Sequence, residues 1–220
     1  MEIIKTYLRK LKVKKIIQKS ENIKLIVGSG GTTQVGWIST DFDTLDITID
    51  SDWSFLLGNK KASAIVAEHV MEHLNWEDII KSLLNVRKYV RMGGYLRIAV
   101  PDGNHPSKYV IDLVKPNGLE PGADDHKVLL NIEKLESLAK ELNYFLVPIE
   151  YFDKKGHFHS KELNDQRGFI KRSSKHYKGR FTEDKKEYSK FINSVPRKLR
   201  NQFIKYNFSY TSLLVDLYIK

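Results

Sequence analysis

Apolar residues along the chain fall into short unbroken runs that alternate with longer helical periodicities. Residues 1–19 place Ile3, Ile4, Tyr7, Leu8 and Leu11 at the spacing of one helix face, with Lys5, Arg9, Lys10, Lys12, Lys14, Lys15 and Lys19 around them. This predicts a basic amphipathic helix, expected either to pack as a lid on the following core or to lie on an anionic membrane surface. Residues 23–27 are apolar enough for a central strand of a parallel sheet and end at Gly28. Extended runs at 37–42 and 45–50 predict a second and a third strand, the first ending in Asp41 and Asp43 and the other in Asp50 and Asp52. Residues 62–67, 95–100, 144–152 and 210–219 predict four more.

Helical signals lie between these runs. Asn75 is placed to cap a helix with Asp78 at its third position, and Ile79, Ile80, Leu83, Leu84, Val86 and Val90 supply an apolar face that Gly93 and Gly94 should stop. Residues 106–115 are weakly helical, 117–126 read as a loop, and Asn131 should cap a helix running to Leu142. The alternation predicts an α/β fold around a mostly parallel seven-stranded sheet. Only residues 32–36 separate the glycines after the first strand from the second strand, so the first crossover is truncated. Residues 153–208 break the alternation as an insertion before the last strand, too long to be structureless. The chain thus divides into a helix at 1–22, a core at 23–152 and 209–220, and the insertion.

Charge sharpens this division. The net charge of the 220 residues is +10, but residues 1–24 carry +6, residues 25–152 carry −6 and residues 153–208 carry +10. A mildly acidic core is therefore flanked by two basic segments, which are either ordinary solvated surface or faces for an anionic partner. Cysteine is absent, which removes thiolate nucleophiles and thiolate zinc sites and favours a cytoplasmic location. No run approaches the roughly 20 apolar residues of a spanning helix, so a soluble protein is expected.

Candidate chemistry gathers at the ends of the strands. The run K-L-I-V-G-S-G-G from Lys24 to Gly31 carries a buried strand into a loop that must turn sharply and approach a ligand closely. If the sheet is parallel, Asp41 and Asp50 end neighbouring strands on the same side, where a ribose or an adenine would be read. Asp102 in V-P-D-G, His105 and His126 are candidate bases, His126 being favoured because the A-D-D-H loop offers a carboxylate to hold its ring. Glu72 and His73 read as the start of a helix. His126, His157 and His159 with Asp124 and Asp125 match no common zinc spacing, so no metal is expected.

The motifs G-S-G at 28–30, G-W-I-S-T-D at 36–41, A-E-H-V-M-E-H-L at 67–74 and G-G-Y-L-R-I-A-V-P-D at 93–102 together resemble a compact bacterial subfamily of class I S-adenosylmethionine-dependent methyltransferases, which have a Rossmann-like fold. The short first crossover is a feature of that subfamily, and Ser29 stands where relatives often have cysteine. The resemblance implies that Gly28 and Gly30 lie against the methionine moiety of S-adenosylmethionine and that Asp41 takes the ribose hydroxyls. It further implies that Asp50 sits near the adenine and that Glu68 and His69 close the methionine side. It points to a small-molecule or glycan acceptor, such as a sugar of a surface polysaccharide. Arg167 and Arg172 in the insertion suit bidentate phosphate capture, and the insertion with the N-terminal helix is expected to cover the acceptor side. Two other readings stay open: a nucleic-acid-associated protein using the basic, aromatic-rich insertion, and a methyltransferase fold that binds without catalysing. The oligomeric state is not readable from the sequence.

Overall fold

A computed structural model describes residues 2–176, 184–206 and 212–220. The chain opens with helix α1 (Glu2–Lys19) and strand β1 (Ile23–Val27), then β2 (Ile38–Ser39), α2 (Asp50–Leu57), β3 (Ala62–Glu68), α3 (Trp76–Tyr89) and β4 (Val90–Pro101). It continues through α4 (Lys108–Val114), α5 (Ile132–Glu141), β5 (Tyr144–Phe152), β6 (Phe158–Ser160), α6 (Lys185–Ser194), α7 (Arg200–Tyr206) and β7 (Ser212–Ile219). The strands form one seven-stranded sheet in the order β2-β1-β3-β4-β7-β5-β6.

The sheet is mixed rather than mostly parallel. β1 pairs in parallel with β2 and β3, and β3 with β4, whereas β7 runs antiparallel between β4 and β5, and β6 antiparallel on the edge of β5. Two strand assignments also change. Residues 45–50 form no strand: Leu45 and Ile47 are buried two apart, mimicking strand alternation, but Asp46 Oδ1 accepts from Thr48 N at 2.9 Å and bends the chain, and α2 begins at Asp50. The seventh strand is instead β6, inside the insertion. The start of the last expected strand at Tyr210, together with Tyr177, Lys178, Arg180 and Phe181, lies outside the described residues.

The helix caps fall where the side chains direct them. Asn75 accepts from Asp78 N and Asn131 from Lys134 N, each satisfying an otherwise unpaired amide of the first turn. The glycines after α3 act differently from expectation. α3 ends at Tyr89, whose ring stacks on Trp53 at 5.7 Å, and the chain is already extended at Val90. Residues 62 and 64 of β3 face residues 90 and 95 of β4, so β4 bulges, with Gly93 at φ 70° and a side chain at Gly94 excluded by the Ser63 carbonyl.

Both faces of the central strands are buried, so side chains of alternating residues enter two separate cores. Leu25, Ile65, Leu96 and Val215 meet α2, α3 and α5 on one face. Ile26, Val66, Tyr95 and Leu214 point to the other, which is covered not by a helix but by Trp37 and by Leu163 and Ile170 of a strap of the insertion, residues 163–172. At the centre of that second face Arg97 and Asp216 stand directly opposite each other on β4 and β7. They pair through Nε–Oδ1 at 2.7 Å and Nη2–Oδ2 at 2.9 Å, and Arg97 Nη1 donates to the strap carbonyls of Gly168 at 2.9 Å and Asn164 at 3.3 Å.

α1 docks with the reverse of its expected orientation. Ile17 is buried against the core, Arg9 pairs with Asp43 and Lys10 with Asp52, each at 2.6 Å, while Ile4, Tyr7, Leu8 and Leu11 are exposed. Among the described residues no helix is long and apolar enough to cross a membrane.

The buried ion pair yields a stability test. Asp216→Ala leaves the Arg97 guanidinium, 2% exposed, without its counter-charge, and the unfolding free energy in urea is expected to fall by about 3–5 kcal/mol. A loss under about 1 kcal/mol would mean that Arg97 reaches water by another route.

Candidate functional site

In the order β2-β1-β3, the chain leaves β1 toward one edge and returns on the other side as β3, so their carboxyl ends bracket a topological switch point, where open α/β sheets bind ligands. A cleft of about 340 Å³ lies there, a size suited to a small ligand. One wall is the glycine loop after β1. Beside it, Glu68 and His69 at the end of the neighbouring β3 and His73 beyond them also line the cleft. α4 and the loop behind it contribute Val110, Val114 and His126, and the strap contributes Phe169, Lys171 and Arg172.

The glycine loop has a backbone path that side chains would strain. Gly28 has φ 59° and its missing side chain would fall 2.5 Å from Val70 Cγ2. Gly30 has φ 50°, and a Cβ there would point into open space with no atom within 4 Å; both positions disfavour any side chain. The loop is fixed from outside the cleft by Asp41, whose Oδ1 accepts from Gly30 N at 2.9 Å and from Ser29 Oγ at 3.0 Å. Asp41 therefore stands beside the rim and shapes the loop, with carboxylate lone pairs still free for further donors.

At the end of β3, His69 adopts φ 54°, an uncommon conformation for a residue with a side chain. Its amide donates to Ala99 O at 2.8 Å and its Nδ1 meets Glu72 Oε1 at 2.6 Å. Glu68 accepts from the amides of Arg172 at 2.8 Å and Lys171 at 3.2 Å, tying the strap to the end of β3. Gln34 makes a second tie, donating to Asp165 O at 2.6 Å and accepting from Phe169 N at 2.9 Å. The residues around the cleft thus come from distant parts of the chain but are held together by direct hydrogen bonds.

Of the residues singled out from sequence, Gly28, Gly30, Glu68, His69, His126 and Arg172 line this cleft and Asp41 adjoins it. Asp50, Asp102 and Arg167 do not. Asp50 begins α2 and accepts from Lys88 Nζ at 2.6 Å and Tyr89 Oη at 3.0 Å, next to Val90, which pairs with Ala62 at the amino ends of β3 and β4, the wrong end of the sheet for an adenine. Arg167 lies on the sheet face, its guanidinium over the Tyr95 ring at 4.4 Å and bonded to Tyr218 Oη at 2.5 Å. Asp102 is 1% exposed, with Oδ2 accepting from Phe152 N at 2.7 Å and Oδ1 from Asn104 N at 2.8 Å. It clamps the end of β4 to that of β5. His105 is packed among Phe152, Phe191 and Phe203.

His126 is on the cleft wall, but a backbone carbonyl rather than an acidic neighbour holds its ring: Nδ1 meets Val114 O at 2.7 Å. Among the described residues none of α1 lines the cleft, and the insertion contributes Phe169, Lys171 and Arg172 of the strap to its lining. Several of the insertion's cations have internal partners, Lys175 and His176 with Asp165 and Lys190 with Glu187. Sequence reasoning gave Phe169, Lys171 and Gln34 no role and read the buried Glu72 as the start of a helix. For Glu72 the signal was present, because three-residue spacing on a turn brings it beneath His69.

No family model and no curated relative matches the chain. Among solved structures it is similar to a SAM-dependent methyltransferase from Archaeoglobus fulgidus, 12% identical with a TM-score of 0.45 over 96% of this chain and 92% of that one. It is also similar to an O-methyltransferase family protein from Burkholderia thailandensis, 9% identical with a TM-score of 0.44 over 65% of this chain and 53% of that one. A third is a SAM-dependent methyltransferase from Thermotoga maritima, 11% identical with a TM-score of 0.43 over 70% of this chain and 81% of that one. The chain spans about half the length of the Burkholderia protein. Likenesses this distant carry neither a ligand nor a reaction to this chain.

The clamp at Asp102 gives a pH test. Burial pushes its carboxyl up to about 7, against the pull of the Phe152 and Asn104 amides and with a further push from Glu133. The folded state then holds a proton that the unfolded chain releases near pH 4, so this group's stabilisation is full below pH 4 and is lost as pH rises to about 7. Urea unfolding from pH 4 to 8 should show a smaller decline with pH for Asp102→Asn than for the native chain. Parallel profiles would mean that Asp102 is ionised throughout.

Proposed function

We propose that the chain transfers a methyl group from S-adenosylmethionine to an anionic small-molecule or glycan acceptor in the cytoplasm. The observation that carries this reading is the glycine loop at the switch point, where Gly30 leaves open the space a Cβ would fill on the wall of the cleft. A backbone cradle beside Glu68, in a core segment of net charge −6, fits a nucleoside whose sulfonium is cationic. When bound, the cofactor supplies an activated methyl carbon. Gly28 and Gly30 hold its methionine part, the free lone pairs of Asp41 accept from the ribose hydroxyls, and Glu68 and His69 close the neighbouring wall.

Methyl transfer from a sulfonium needs mainly alignment of the acceptor and exclusion of water. Phe169 supplies an apolar cover, and Lys171 and Arg172 place two cations at the same edge of the cleft. An acceptor with a phosphate or carboxylate group would be oriented by Arg172, whose planar guanidinium can donate to two oxygens of either group at once. The family resemblance narrows this to a sugar phosphate or nucleotide sugar that contributes to a surface polysaccharide.

Calorimetry with S-adenosylmethionine and its demethylated product is expected to show one site per chain. Asp41→Ala should weaken both by about 1–3 kcal/mol, since it removes a charged acceptor. Arg172→Ala should leave cofactor affinity within about twofold, under 0.5 kcal/mol, while methyl transfer in a screen of nucleotide sugars drops. Absence of cofactor binding by the native chain refutes the reading, and full activity of Arg172→Ala removes the assigned acceptor contact.

A further inference from the structure

Glu72 and His73 lie on the single turn of 3-10 helix that follows β3, and His126 lies just beyond a second such turn in the loop after α4. Each brings one ligand atom, a carboxylate oxygen or a ring nitrogen, to within 4.8 Å of the other two. We propose that Glu72, His73 and His126 bind a divalent transition-metal ion of the zinc class on the wall of the cleft.

The first support is the carboxylate. Glu72 is 1% exposed, its Oε1 is engaged by His69, and its Oε2 has no hydrogen-bond partner among the described residues. An unsatisfied buried oxygen of this kind is costly, and a cation beside it removes the penalty. The second is that all three groups are held from behind. His126 Nδ1 meets the Val114 carbonyl at 2.7 Å, which puts the proton on Nδ1 and leaves the Nε2 lone pair for a ligand. His73 Nδ1 lies 3.4 Å from Asp125 Oδ2, and Glu72 is backed by His69. Carbonyl or carboxylate partners on the far ring nitrogen are the usual outer support of metal-bound histidine.

The donor set selects the ion. Two imidazoles and one carboxylate suit zinc and its transition-metal neighbours, whereas calcium and magnesium prefer all-oxygen sites. Three protein ligands leave a fourth position, and His73 and His126 both line the cleft, so that position opens toward whatever the cleft holds. Around a tetrahedral zinc with bonds of about 2.1 Å the ligand atoms stand about 3.4 Å apart. The side chains close by a further ångström or so, which His73 permits because its side chain is 34% exposed. The rings already meet edge to face with centroids 4.9 Å apart.

The test uses the full chain stripped with a chelator and titrated with zinc by calorimetry, and with cobalt(II) by visible absorption, without any methyl donor. One zinc per chain and intense tetrahedral cobalt bands are expected. His73→Ala and His126→Ala should each weaken zinc about a hundredfold, while the double variant His157→Ala, His159→Ala, which removes the exposed histidines beside Asp153, should bind as the native chain does. Circular dichroism checks folding, and if His126→Ala fails to fold, His73→Ala and the cobalt spectrum of the native chain decide. Absence of stoichiometric zinc, or zinc lost from the His157/His159 variant and kept by His73→Ala, overturns the proposal.

Discussion

A charged pair in the middle of a sheet face sets the terms for the rest of this structure. Arg97 and Asp216 are opposite one another on neighbouring strands and both almost fully buried, so every donor of the guanidinium must find an acceptor inside the protein. Asp216 supplies two, and two more come from carbonyls of the strap at Asn164 and Gly168. Such a pair is weak evidence for net stability, but its Nη1 also ties two strap carbonyls to the sheet face. Gly168 fits because a Cβ there would fall 2.2 Å from Val66 Cγ2, so the backbone can lie directly on the sheet.

The strap is required because the first crossover is short. The residues between β1 and β2 form only the glycine loop and a turn, so no helix of that crossover lies over Ile26 and Val66. The insertion before β7 covers that face instead. Its later part builds a third cluster, in which Phe191, Val195, Leu199 and Phe203 pack on Val110, Val114 and Phe152. α4 is thereby buttressed from behind while Val110 and Val114 face the cleft. The segment that reads in the sequence as an appended cover is thus core for two parts of the molecule.

These relations decide what was legible in the sequence. Unbroken apolar runs mark strands buried on both faces, and Asn75 and Asn131 mark helix starts, because both signals depend on near neighbours alone. Residues 45–49 mislead for the same reason: Leu45 and Ile47 alternate like a strand, yet only the Asp46 turn and the demands of Trp53 decide that they do not pair. Asp50 was drawn to the site by the expected strand end at 45–50 and Arg167 by residue type, and their actual partners, Lys88 and Tyr89 for one and Tyr95 with Tyr218 for the other, are remote in sequence. Glu72, His73 and His126 belong together only because the chain between them passes through α3, β4 and α4 and returns. No linear spacing rule reaches across that distance.

The same ties that place the strap couple the two sides of the cleft. Glu68 ends a central strand, forms part of the wall and accepts the amides of Lys171 and Arg172, so any ligand that draws on its carboxylate competes with the strap's anchor. Gln34 makes the reciprocal link from the loop that follows the glycines to Asp165 and Phe169. If the cleft binds as proposed, a ligand seated on the glycine loop and one held by Arg172 would act on a shared set of hydrogen bonds. Each can influence the other's affinity only by as much as it favours one arrangement of those bonds over another, which makes Glu68 and Gln34 the residues through which order of binding would be expressed.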